Sequence, residues 1–512
     1  MKKACWKVND EPSFPSEKWI NMHDDCATDD TAVYIDLDNE DEDETDGEIC
    51  NSAWSQLPDI LLGKIFSYLS IRQKYYCSLV CRGWYRAFYL PEVWAQFVLE
   101  DSTLTRGRFN YYSGWQYVLD HLRTQACLAQ VGKYFKHLTL DPMLNFYNLY
   151  EFMNMISWYT EQKARDIVKS GVGTNVRSLK FTFPCNMANR DETERIRLFG
   201  TGGKLLDALK RLMSNLRKLK KIELIDLMLD PQEAQYLLDG VCETCYLTLQ
   251  SIVLVNTTRV QYQILHVGIF LNLQVLVISP QNLGEDMVEL LGYTKLRHLH
   301  IFQNRYTPSD FTIKPVPAKI WKNCHRNNPK LCIHLELQCN KDRQLIWQDG
   351  APVKSILYDS PHTTQTLQLI NAVELYRKTL TIYGHKNRPR YYRSKSFHER
   401  IDCTLLLLCR QCTSLKVLII NERVSTATLL LIAFTARNLR YLHVRSNAVI
   451  KRCDWSQNSE WEDELYIWLK TNSRSFEAVE KEISQILGYK WKMLTDKQFN
   501  NLNINLHDDN VL

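Results

Sequence analysis

Two kinds of apolar spacing divide the chain. From Leu57-Pro58-Asp59 onward, Leu61, Leu62, Ile65, Phe66 and Leu69 fall at helical spacing. A second group follows in Tyr75, Tyr76, Leu79, Val80 and Cys81, then Trp84, Phe88, Leu90 and Trp94. This predicts about three short helices, the first opened by Pro58 in a first-turn position, where a missing N–H leaves nothing unpaired. So much apolar surface in so small a unit calls for a partner. Farther along, the period shortens to that of strands. A large apolar residue, two variable ones, an apolar, a variable and an apolar recur from Phe135, Val176, Leu219, Leu249, Leu273, Leu296, Leu415 and Leu439. Helical stretches such as Thr404 to Cys412 and Thr426 to Ala436 precede the later copies. Strand followed by helix, repeated, predicts a parallel sheet covered by helices.

The shorter steps between copies are 30, 24, 23 and 24 residues, and the pattern resembles leucine-rich repeats. Weaker copies at Leu331 to Leu337, Val353 to Tyr358 and Leu380 to Ile382 fill the longest gap, and Asn304 and Asn447 stand where such repeats bond the turn. The resemblance implies an α/β fold: an N-terminal helical segment followed by a solenoid with a curved parallel sheet inside and helices outside. We expect an irregular horseshoe over residues 131–475, then a capping helix and tail over 476–512, with Trp461, Trp468 and Trp491 shielding the last repeat.

The helical segment resembles an F-box. The match lies in Leu57-Pro58, Ile65-Phe66 with Tyr68-Leu69, Leu79-Val80-Cys81-Arg82 with Trp84, and Leu90-Pro91 with Trp94. It departs at Lys74-Tyr75, where the family usually has an acidic residue followed by Leu. The expected divisions are an F-box over 51–98 and a helical linker over 99–130. The resemblance implies docking on the adaptor Skp1 and, through it, on cullin and RING subunits. It also implies that the chain is the non-catalytic substrate receptor of a ubiquitin ligase, with the repeats capturing a protein target. Candidate anchors for the adaptor are Leu57, Pro58, Ile65, Phe66, Leu69, Val80 and Trp84, since a few apolar side chains supply most of the energy of helix-in-groove association. The placement of His137-Leu138 and of Val353-Lys354-Ser355-Ile356 looks like the F-box-only thirty-three and thirty-nine subgroup.

Charge adds a third division. The net charge is +5, but residues 1–48 hold four Lys and sixteen Asp or Glu, a net of −12, leaving +17 for the rest. Such a run self-repels and buries little, so residues 1–50 are expected to be a disordered acidic arm, whether a solubilising spacer or a mask for the basic body. No stretch approaches the ~20 apolar residues of a membrane span. The 16 Cys, scattered behind an N-terminus without an apolar signal core, read as reduced thiols of cytoplasm or nucleus.

On a strand whose apolar residues face the helices, the alternate residues line the opposite, concave face. That names His298, His300, Val417, Ile419, Tyr441 and His443 as candidates for target binding, with the two β-branched residues suited to an apolar segment and the histidines to a protonation-sensitive patch. The loop Lys386 to Lys395, with five cations around Tyr391-Tyr392, is a second candidate, for an acidic or phosphorylated segment. Cys242/Cys245 and Cys409/Cys412 lie too far apart in sequence for a zinc module and read as buried thiols, and no cofactor or metal is expected. Ile483 to Leu494 is similar to the middle helix of an HMG box, which makes a nucleic-acid-associated scaffold the alternative function. The basic first helix and wedge residues of such a box are missing, so nucleic acid is not an expected partner. No nucleophile or phosphate-loop motif occurs.

Overall fold

Short helices open the described chain. The computed structural model describes residues 54, 56–111, 114–143, 145–164, 171–183, 203–308, 313–361, 366–387, 396–457 and 461–507; the acidic arm and most of the basic loop lie outside them. The chain forms two units, 1–176 and 177–512.

In the first unit, α1 (Asp59–Ser67), α2 (Ile71–Ser78) and α3 (Arg82–Phe88) follow one another. Pro58 sits just before α1 rather than inside it, its carbonyl accepting the amides of Leu61 and Leu62. Ser70 starts α2 through a reciprocal box with Gln73. β1 (Gln96–Leu99) then pairs in parallel with β4 (His137–Leu140), so strand structure begins well before residue 131. Between them lie β2 (Thr105–Asn110), β3 (Gly114–Leu119) and α4 (His121–Val131). The expected helical linker is therefore half hairpin: β2 and β3 pair antiparallel, and Gly114 at φ +72° makes the turn residue that other side chains resist. α5 (Phe146–Ala164) follows β4, and Phe97 stacks on Phe135 and Phe152 to form the unit's core.

The second unit is the repeat array. Its strands are β5 (Ser178–Thr182), β6 (Lys221–Ile225), β7 (Ser251–Val255), β8 (Val275–Ile278), β9 (His298–Asn304), β10 (Cys332–Gln338), β11 (Val353–Asp359), β12 (Ile382–Lys386), β13 (Val417–Ile420), β14 (Val424–Ser425), β15 (Tyr441–Val444) and β16 (Val449–Ile450). Its helices are α6 (Lys204–Asn215), α7 (Pro231–Cys245), α8 (Glu285–Leu291), α9 (Ala318–Asn327), α10 (Thr366–Tyr376), α11 (Asp402–Gln411), α12 (Thr426–Thr435), α13 (Asp463–Asn472), α14 (Phe476–Leu487) and α15 (Asp496–Asn500). β5 to β13 and β15 line up in sequence order, every pair parallel. This is the expected α/β solenoid. Leu224, Leu254, Ile278 and Ile301, the last apolar positions of four copies, are buried.

At the strand ends the repeat turns share a buried polar ladder. Asp226 and Asn256 each take a left-handed φ, near +59° and +47°, two residues after the last apolar position. Asn256 donates to Asp226 and Asn304 through Nδ2 (2.7 and 2.6 Å), and Asn304 donates to Asp226 at 2.9 Å. Burial raises the Asp226 pKa, and the bonds from Asn304 and Asn256 oppose that rise. Asn304 thus bonds a turn as expected, whereas Asn447 does not join the ladder but donates to Asp496.

The last segment departs from a simple cap. α14 packs against α12 with Val479 and Ile483 buried, but it stops at Gly488, φ +76°. Residues 489–507 then return over the strands instead of trailing away. Trp491 is buried and donates to the Leu442 carbonyl, while Trp468 bonds Glu482. The stretch resembling an HMG helix is therefore broken at Gly488. No described helix is long and apolar enough to cross a membrane.

Candidate functional site: an apolar helical face and a covered sheet face

In the first unit, α1 carries two adjacent apolar stripes with opposite fates. Leu62 and Phe66 turn inward, and Phe66 is 0% exposed, meeting Trp84 edge-on at 5.5 Å. Leu61, Ile65 and Tyr68, spaced as one helical face, stay outside. Ile60 (77% exposed), Tyr68 (80%), Leu79 (61%) and Val80 (63%) are the most exposed apolar side chains of these helices and the turn after the second. Scattered exposed apolar residues are ordinary, but so many within residues 60–80 point to an interaction surface.

Of the seven residues singled out from sequence, Pro58, Ile65 and Val80 are exposed, and Leu57, Leu69 and Trp84 are half-buried. Phe66 is the correction: it is the keystone of the hairpin, because the position that best fills the small core cannot also face outward. Trp84 straddles the two roles, packing on Phe66 while its Nε1 donates to the Trp54 carbonyl at 3.1 Å. Ile60, Leu61, Tyr68 and Leu79 were missed, although the spacing 61, 65, 68 carried the signal.

Lys74 explains the departure from the family pattern. Its side chain turns inward, donates through Nζ to the Val93 carbonyl at 2.8 Å and lies 5.1 Å from the centre of the Trp94 ring. Burial lowers its pKa to about 8, slightly opposed by the neighbouring Cys127. Trp94 is itself tied by Nε1 to the Phe88 carbonyl. The lysine thus staples α2 to the Val93-Trp94 segment.

In the second unit, strand register decides which concave residues meet. His300 pairs with His334, and across successive strands follow Ser355, Ile382, Val417 and Tyr441. A neighbouring row holds Glu336, Leu357, Gly384, Ile419 and His443. His443 is thus five strand steps from His300, about 24 Å at the usual spacing, and stacks on Tyr441 instead of joining the histidine pair. A Cβ at Gly384 would lie 2.5 Å from Ile419 Cδ1, so the missing side chain gives Ile419 its seat.

The open apolar face expected from Val417 and Ile419 is not there. Ile382, Val417 and Ile419 form a buried cluster with Phe499 and Leu506 of the returning segment, flanked by Leu357, Leu494, Leu502 and Ile504. His298 and His300 are buried too; Tyr441 remains exposed. The histidine patch is larger than expected: His298 Nδ1 lies 3.2 Å from His334 Nε2, His334 Nδ1 lies 2.7 Å from Ser355 Oγ, and His300 contacts Glu336. His334, Glu336 and His507 were not singled out from sequence. Of the loop Lys386 to Lys395, the described Lys386 donates through Nζ to the Leu502 carbonyl at 3.3 Å.

Cys245, Cys409 and Cys412 are buried, and burial raises the pKa of each thiol, to about 12 for Cys412. Among the described residues, no group of three His, Cys, Asp or Glu side chains is placed to hold a metal ion.

Against known proteins, the decisive match falls on the exposed apolar helices. Residues 54–100 match the F-box-like family. The matched segment takes in all of β1 and ends one residue past it, so the match runs from the helices into the first strand. No curated protein matches the chain. Among solved structures, the Rad7 and Elc1 complex of yeast is similar at 12% identity and a TM-score of 0.33, covering 80% of this chain and 93% of that one. The TLR13-ssRNA13 complex is similar at 14% identity and a TM-score of 0.22, covering 62% and 48%.

Proposed function

We propose that this protein is the substrate-recognition subunit of a Skp1-cullin-F-box ubiquitin ligase. The observation that carries the proposal is the exposure of Ile60, Leu61, Ile65, Tyr68, Leu79 and Val80 on the segment that matches the F-box-like family. Helix faces of this kind associate by setting anchors into a groove, and Skp1 is the partner whose groove this family fills. Cullin and RING subunits follow through the adaptor, and the repeats take a protein target. The chain's own contribution is to raise the effective concentration of that target beside the ubiquitin-loaded enzyme, without bond chemistry of its own. Work in the cytoplasm or nucleus goes with this role.

The test is recovery of Skp1 and the cullin on the full-length chain and on its Ile65→Asp/Val80→Asp form. Wild-type chain brings down both; the double variant, equally folded by circular dichroism, brings down neither. Equal recovery from the two would refute the docking face.

A further inference from the structure

Residues 501–507 read Asn-Leu-Asn-Ile-Asn-Leu-His, a strict alternation of period two. The structure resolves it by face: Leu502, Ile504 and Leu506 turn toward the concave cluster, and Asn501, Asn503 and Asn505 are exposed. Alternation of this sort is what an extended segment needs to lay one face on an apolar surface.

The segment is not a strand of the sheet. It crosses the sheet's face and is held by few main-chain bonds. Leu494 forms an isolated bridge with Arg445, donating to the Val444 carbonyl at 2.8 Å and accepting from Ser446 at 2.9 Å. The short turn of α15, capped by Thr495 and Gln498, then sets Phe499 on the cluster. Beyond it, Lys386 bonds the Leu502 carbonyl, and His507 reaches His300. This is how a bound peptide is seated: side chains in a groove, polar atoms outward, no continuous ladder.

We propose that residues 501–507 are a displaceable strap, an internal pseudo-ligand that closes the target-binding face of β9 to β13. The target then carries the same chemistry: an extended segment with aliphatic side chains at alternate positions and uncharged polar residues between them. It must compete with a tethered rival whose effective concentration is high, so weak ligands are excluded and strap release becomes a regulated step. The proposal rests on the repeats being the target-binding part.

The experiment uses the full chain and a fluorescent peptide of sequence 500–507 as the probe. In the Leu502→Asp/Ile504→Asp/Leu506→Asp variant the face is open, and the probe binds at least 10-fold more tightly than to wild type. A probe carrying the same three aspartates binds neither chain. A folded variant that takes up no probe, or equal affinity of variant and wild type, overturns the strap. Should the triple variant fail to fold, native-state proteolysis of wild type decides. Cleavage after Leu502 at least 100-fold faster than within β13 supports displacement, and equal rates show an integral part of the core and overturn it. Neither readout involves the adaptor, so failure of the strap and failure of the ligase role are told apart.

Discussion

His507 Nε2 lies 2.9 Å from His300 Nε2, joining the last described residue of the chain to the middle of the repeat sheet. Around that contact stand His298 and His334, with Glu336 opposing their mutual repulsion and Lys221 adding to it. Burial first, then the neighbouring imidazoles, hold His334 well below its ordinary pKa, and the same causes lower His507.

Acid should therefore loosen this corner. The unfolded chain protonates its histidines near pH ~6.5, whereas the folded chain keeps His334 and His507 neutral to lower pH. Below about 6.5 the unfolded state binds more protons, so stability present at neutral pH is lost as the pH falls through that window. Thermal melts from pH 7.5 to 5 should show a declining midpoint for wild type and a shallower decline for His334→Gln. Parallel curves would remove the cluster as the cause.

Lys74 gives the opposite trend at alkaline pH. Its folded pKa, about 8, lies below the ordinary 10.5, so between these values the unfolded chain holds the extra proton and stability rises with pH. Lys74→Met removes the buried charge. We expect urea titrations to show wild type gaining on the variant by up to roughly 3 kcal/mol from pH 8 to 10.5, at ~1.4 kcal/mol per pKa unit. A constant difference across that range would count against a buried ammonium.

Phe66 and Ile65 are neighbours with separable roles. Phe66→Ala opens a cavity in the hairpin and should cost about 3 to 5 kcal/mol in local stability, read as lost helical protection in hydrogen exchange of residues 59–88. Ile65→Ala, on the solvent side, should change stability by less than about 0.5 kcal/mol. Similar protection in both would contradict the assignment of inner and outer stripes.

How much of this was legible in the residues follows from the range of the forces involved. The helical segment announced itself because both of its faces are written within a few turns: Leu57-Pro58 to Trp94 fixes the hairpin, and the match at 54–100 falls on it. The repeats showed because each strand buries its own alternate side chains. What stayed hidden was tertiary. β10 showed only as the weaker copy Leu331 to Leu337, because Lys330 stands where the pattern wants an apolar residue and the register shifts between Ile333 and His334, so His334 and Glu336 went unmarked. The return of 489–507 left no local trace beyond its period-two alternation, since the surface that makes Leu506 buried lies on strands some 90 to 150 residues earlier. Asp226 and Asn256 were passed over because their turns run one residue shorter than the pattern sought at Asn304.

The most direct measurement is calorimetric titration of purified Skp1 into the full-length protein and into its Leu61→Asp/Leu79→Asp form, both verified by identical thermal melts. Loss of two anchors at roughly 2 kcal/mol each corresponds to about a thousandfold in affinity. The account predicts saturable one-to-one binding by wild type and a loss of at least 100-fold in the variant. No binding by wild type, or undiminished binding by the variant, would contradict it.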